Sequence, residues 1–229
     1  MALLRPHRGQ VPRRLIVVAV VLPLFAVLGS CNIVAPIAYA IEGPGTIDAE
    51  FVLKPVRTAI LVDDRQNILP RMALRVDIGE AIADRLLSEK TVPEIVNTRD
   101  VIAYVRSNER DGKRLTMGQV ATGVKADQLI YVEISEFSLI DGEGSPRPTS
   151  AAFVRVLDIE SRVRVFPSME EEDGREVRAQ LREIPTDALR TPSTRRAVED
   201  QLADRLGRQI SRVFYEHDRV DLGENLQPR

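Results

Sequence analysis

"QLIYVEISEFSL", residues 128–139, is the longest strand-like run in the chain, and its alternation decides the fold. Ile130, Val132 and Ile134 fall on one side; Tyr131, Glu133, Ser135 and Phe137 fall on the other. The turn-rich "DGEGSPRPT" (141–149) ends this strand. "SAAFVRVLDIESRVRVF" (150–166) then reads as a hairpin turning near Glu160 and Ser161. The acidic "MEEEDGRE" is a loop, and "EVRAQL" is a further strand. Strands joined by short turns run antiparallel.

Upstream of residue 128 the pattern changes to strands separated by helices. "TIDAEFVL" (46–53) alternates Ile47, Ala49, Phe51 and Leu53 on one face, a candidate edge strand. "RTAILVDD" (57–64) is a short buried strand that ends in acids. Residues 72–89 place Leu74, Ile78, Ile82 and Leu86 four apart, with Ala81 beside them, as a helix would. "PEIVN" offers a brief strand at 94–97, and Asn97 can cap a helix that carries Val101, Ile102 and Val105. Thr116 with Gln119 is a capping-box pair for a short third helix through Val120 and Val124. Near the carboxy end, Ser193 can cap a long helix with Val198, Leu202, Leu206, Ile210, Val213 and Phe214 on one face. Arg195, Glu199, Arg208 and Arg212 occupy the opposite one. The predicted fold is an α/β sandwich: a mixed sheet with helices packed on it, parallel early, antiparallel late, and closed by that helix. One domain spans about 46–216, and 217–229 form a polar, flexible tail.

The 229 residues are 44% hydrophobic and 29% charged, ordinary values for a globular chain. Four of the 32 basic residues, Arg5, Arg8, Arg13 and Arg14, precede the uncharged stretch "LIVVAVVLPLFAVL" (15–28), and no acid does. Without the first 30 residues, 28 basic groups face 34 acidic ones, a net of −6. That balance argues against a sequence-independent grip on phosphate backbones, so nucleic acid is not an expected partner.

The one cysteine follows the apolar stretch in "LFAVLGSCN" (24–32). Leu28, Gly29, Ser30 and Cys31 resemble the lipobox of bacterial lipoproteins, a bulky aliphatic and two small residues before a cysteine. The resemblance implies that the Cys31 sulfur receives a diacylglycerol and that the signal, residues 1–30, is cut between Ser30 and Cys31. Residues 31–45, ending in Gly43, Pro44 and Gly45, then read as a tether. Two acyl chains give stable anchoring where one is marginal, at about 0.8 kcal/mol per buried methylene. Two other readings stand beside this one. "AYA" (38–40) has the form of an ordinary cleavage site, and the uncharged run from Leu15 to Ile41 could serve as an uncleaved membrane anchor. All three place the folded part outside the cytoplasm. Asn32 stands where aspartate is the familiar inner-membrane retention signal of some bacteria, which favours the outer membrane.

Two stretches carry a second resemblance. "QVATGVKADQLIYVEISEF" and "FVRVLDIESRVRVF", preceded by "TAILVDD" and "IGEAIADRLLSE", are similar to the amino-terminal domain of the translocation protein TolB. They also resemble periplasmic domains of curli-secretion-channel lipoproteins and of lipoprotein activators of penicillin-binding proteins. The likeness covers about 57–166 and implies an envelope protein that acts by binding other proteins. It carries over no functional residue.

Chemistry has few candidates. His7 lies in the signal and His217 near the carboxy end, too few imidazoles for a usual zinc site. No phosphate-cradling glycine motif occurs, and no cofactor is expected. Carboxylates remain: Asp63 with Asp64 at a strand end, Asp77, Glu80 and Asp84 at helical spacing, and the run Glu170 to Asp173. Paired acids can serve glycoside hydrolysis. The expectation is therefore a non-enzymatic, lipid-anchored module facing the periplasm, with an envelope protein as partner. The alternatives are a carboxylate-dependent hydrolase of envelope polysaccharide, a purely structural coat lipoprotein, or an uncleaved membrane-anchored exported domain.

Overall fold

The computed structural model describes residues 45–109 and 113–219. Residues 48–217 form one compact unit. A second unit contributes 45–47 and 218–219 to the described part, where Arg219 N donates to Gly45 O at 2.7 Å. Two strand fragments, β1 (Thr46–Ile47) and β7 (His217–Asp218), hold two residues each.

The sheet of the larger unit contains β2 (Thr58–Asp63), β3 (Gln128–Ser138), β4 (Thr149–Asp158), β5 (Val163–Phe166) and β6 (Arg175–Gln180). Thr58 to Val62 are all buried, as expected of a parallel strand covered on both faces. β2 runs parallel to β3, with Thr58 opposite Gln128 and Asp63 opposite Glu133. β3 and β4 are antiparallel, and so are the pairings of β4 with β5 and β6. The sheet is thus mixed in the expected sense, parallel early and antiparallel late. Along the edge of β4 away from β3, β6 pairs with Thr149 to Val154 and β5 with Val156 to Asp158. β5 and β6 therefore lie on one line, interrupted by the acidic loop.

Helices cover both faces. α1 (Ala73–Ser88) and α4 (Pro192–Arg212) bury Leu74, Ile78, Ile82, Leu206 and Ile210 against Ile60, Ile130, Val132 and Val154. α2 (Thr98–Asn108) and α3 (Met117–Gly123) bury Val101, Val120 and Ala121 against Ala59, Leu61, Leu129 and Tyr131. The apolar stripe of α4 is core, since Leu202, Leu206 and Ile210 are fully buried. α1 and α4 approach closely at Gly207, where a side chain would meet Ala81 and the Ile78 carbonyl. Asn97 caps α2 by accepting from Arg99 N, and Thr116 and Gln119 form the expected capping box on α3.

Five expectations are corrected. Of 46–53, only Thr46 and Ile47 are strand. Phe51 N donates to Val213 O and Lys54 N to the Gln128 side chain, so the segment finds its partners outside any ladder. The brief strand at 94–97 reduces to one bridge between Ile95 and Thr58, hemmed in by Pro93 and the cap at Asn97. Phe137 lies on the Ile134 side of β3, because an irregularity between Ile134 and Glu136 shifts the alternation by one. Thr191, not Ser193, caps α4, with Pro192 in the first turn where its missing N–H costs nothing. Glu199 is buried at 4% exposure and does not lie on the wet side of α4.

Candidate functional site

α2 and α3 cover only part of their face of the sheet. Beyond them, register places Asp63 of β2, Glu133 of β3, Phe153 of β4 and Glu176 of β6 in one row across the strands. The neighbouring row holds Tyr131 opposite Arg155. Asp63 Oδ2 accepts from the Tyr131 hydroxyl at 2.6 Å and from Arg65 Nε at 2.7 Å. Arg155 Nη1 donates to Glu133 Oε2 at 3.1 Å. The guanidinium groups of Arg65 and Arg155 stand over the Tyr131 ring, 5.6 and 5.5 Å from its centroid. Burial above all, then the hydrogen bond to Asp63 and the nearby acids, pushes the Tyr131 phenol up, so it stays a donor. Gly174, at φ +102°, lets the acidic loop pass Arg155; a Cβ there would lie 2.9 Å from Arg155 Cγ. Two acids and two arginines thus close on one phenol with no net charge. The cluster ties β2, β3 and β4 together through side chains and leaves neither Asp63 nor Glu133 without a cation.

On the other side of the sheet, one end of the core opens as a groove of about 450 Å³. Ile68, Pro70, Phe137, Ile140 and Leu189 line it, with Arg195 among them. Four elements meet there: the loop after β2, the end of β3, the 3-10 turn Thr186–Leu189, and the start of α4. Ile140 is 50% exposed, so apolar surface is open to solvent at this point. Glu199, at the groove wall, accepts from Arg71 Nε at 2.7 Å, and Arg71 also pairs with Asp200. That ion pair explains how a carboxylate comes to be buried in α4. Arg195 donates through Nε at 3.3 Å and Nη2 at 2.9 Å to the Leu189 carbonyl, tying the 3-10 turn to the helix.

The remaining sequence candidates are dispersed. Asp64 accepts from the backbone N–H of Ile68 and Leu69, capping its own loop. Glu80 pairs with Arg99, and Asp84 is exposed. Asp77 is held above the usual carboxylate range by burial first and then by Asp200. In the loop of Glu170 to Asp173, Arg155 and Arg164 take main-chain carbonyls and not carboxylates. His217 Nδ1 lies 3.1 Å from Tyr215 O. Among the described residues no three His, Cys, Asp or Glu side chains are placed to hold a metal ion, and no helix is long and apolar enough to cross a membrane. His7, Ser30, Cys31 and Asn32 lie outside the described residues. The groove escaped sequence reading because its residues are 68, 70, 137, 140, 189 and 195; Ile140, an apolar residue among turn formers, was its one local sign.

No family model and no curated protein matches this chain. Solved structures with a similar arrangement do exist. CT253 from Chlamydia trachomatis is 20% identical, over 69% of this chain and 94% of its own, at a TM-score of 0.43. The lipoprotein GNA1162 from Neisseria meningitidis is 15% identical, over 66% and 99%, at 0.38. The LpoB carboxy-terminal domain from Salmonella enterica is 11% identical, over 59% and 88%, at 0.37.

Proposed function

We propose that the chain is an exported lipoprotein whose α/β unit binds another envelope protein and performs no catalysis. Residues 1–30 are its signal, Cys31 carries the lipid, and 31–45 tether the domain, facing the periplasm from the outer membrane. Leu28-Gly29-Ser30-Cys31 behind four arginines supports the anchoring. The observation that carries the binding reading is the groove, with apolar side chains and one guanidinium open to solvent. The hydrolase reading needs two carboxylates free to work on either side of a sugar. Asp63 and Glu133 face each other across β2 and β3, but each is engaged by an arginine.

The anchoring is tested by Cys31→Ala, which should leave the precursor uncut and without lipid label. A variant that still loses its first 30 or 40 residues would point to ordinary cleavage near "AYA". Fractionation with inner-membrane markers would reverse the choice of membrane. Binding is tested by a photo-crosslinking residue at Ile140 in cells, which should trap a protein; a trapped lipid, or no product, would refute it.

A further inference from the structure

Resting on that protein-binding reading, the charges around the groove restrict what enters it. Of the two charged residues in its lining, Glu199 is already matched by Arg71. Arg195 is not matched: both of its hydrogen bonds end on the Leu189 carbonyl, which carries no formal charge. Arg190 follows the same turn and Arg196 follows Arg195 in α4; like Arg195, neither forms an ion pair among the described residues. Asp187 is the one acid in 186–196, against Arg190, Arg195 and Arg196; one turn on, Arg71 is shared by Glu199 and Asp200, so four guanidinium groups meet three carboxylates and one positive charge is left over. α4 also begins at this point with no acid in its first turn, so the positive end of its dipole adds to the field. A neighbouring guanidinium would thus favour a carboxylate entering the groove and oppose a second cation.

We infer that the groove takes an apolar stretch of a partner protein in which an Asp or Glu side chain stands beside the apolar residues and meets Arg195. The apolar side chains cover Ile68, Phe137, Ile140 and Leu189; the carboxylate supplies the charge that Arg195 lacks. Arg195, fixed against Leu189 O, presents its remaining N–H groups without first having to be ordered.

The test uses the full-length chain in cells, with a photo-crosslinking residue at Ile140, and mass spectrometry to map the trapped stretch. That stretch is then made as a synthetic peptide and titrated against wild type, Arg195→Glu, Arg190→Glu and, as a control on the opposite layer, Arg106→Glu. The expected stretch has an Asp or Glu within four residues of the trapped apolar side chain. Arg195→Glu should weaken binding by about tenfold or more and Arg190→Glu by a smaller factor, both relieved by salt, with Arg106→Glu unchanged. Among the described residues Arg190 makes no ion pair, so its variant still reports if Arg195→Glu disturbs the turn. A trapped stretch with no acid, or affinities within twofold across all variants, overturns the inference and leaves protein binding standing. A trapped lipid, or no product, removes the binding reading together with the inference.

Discussion

Gly207 of α4 faces Ala81 of α1 so closely that a Cβ on the glycine would lie 2.6 Å from the alanine Cβ and 2.8 Å from the Ile78 carbonyl oxygen. Alanine is normally the better residue inside a helix, by about 0.5–1 kcal/mol. Here the obstacles are a Cβ fixed to its backbone and a main-chain carbonyl, neither of which can swing aside. Gly207→Ala should therefore destabilise the unit by about 1–3 kcal/mol, read as a lower urea midpoint. An unchanged or higher midpoint would mean that the two helices can part at little cost.

Arg71 and Glu199 are 128 positions apart, and Arg71 Nε meets Glu199 Oε2 at 2.7 Å. Arg71→Met should leave a buried carboxylate without its cation and cost about 1–3 kcal/mol, discounted because Arg71 is partly exposed. Removing both charges with Arg71→Met and Glu199→Leu should recover most of that loss. The double-mutant cycle measures the coupling; strict additivity would show that the pair contributes nothing.

The Tyr131 phenol is raised above its unfolded value of about 10. Its contribution is therefore fully present below about pH 10 and is lost as the pH rises through the folded value. Tyr131→Phe should cost about 1–2 kcal/mol at neutral pH through the lost bond to Asp63. It should also abolish the last phenol ionisation seen by ultraviolet titration of the wild type. If that final step survives in the variant, it belongs to another tyrosine.

Asp158 behaves in the opposite sense. Its hydroxyl partner Ser161 first, then Lys54 at 2.9 Å, hold it below the usual carboxylate range. Its stabilisation is present above the unfolded value of about 3.9 and disappears as the pH falls through the folded one. Asp158→Asn should lower stability at pH 7 and flatten its decline below pH 4. Parallel stability profiles for the two proteins would rule out a role for this residue in acid unfolding.

Residues with local partners were legible in the sequence. Asn97 and Thr116 declare their helices within three positions, and Leu202, Leu206 and Ile210 declare the dry side of α4 by spacing alone. What escaped was set at long range. Glu199 reads as a wet residue until Arg71 is placed beside it, and Phe137 changes sides through one irregular residue that alternation cannot foresee. The meeting of Tyr131, Asp63 and Arg155 depends on the register of three strands, and neighbouring letters do not encode register.

The single line shared by β5 and β6 matters for how this chain could change. Each half is fastened to β4 by its own ladder, so the excursion between Phe166 and Arg175 does not carry the alignment of either. Closing a longer excursion costs little, because the entropy of a loop grows only with the logarithm of its length. An epitope, a fluorophore or a small domain could be spliced in after Met169 while the sheet keeps its pairing. Over generations, the same spot would be where insertions accumulate.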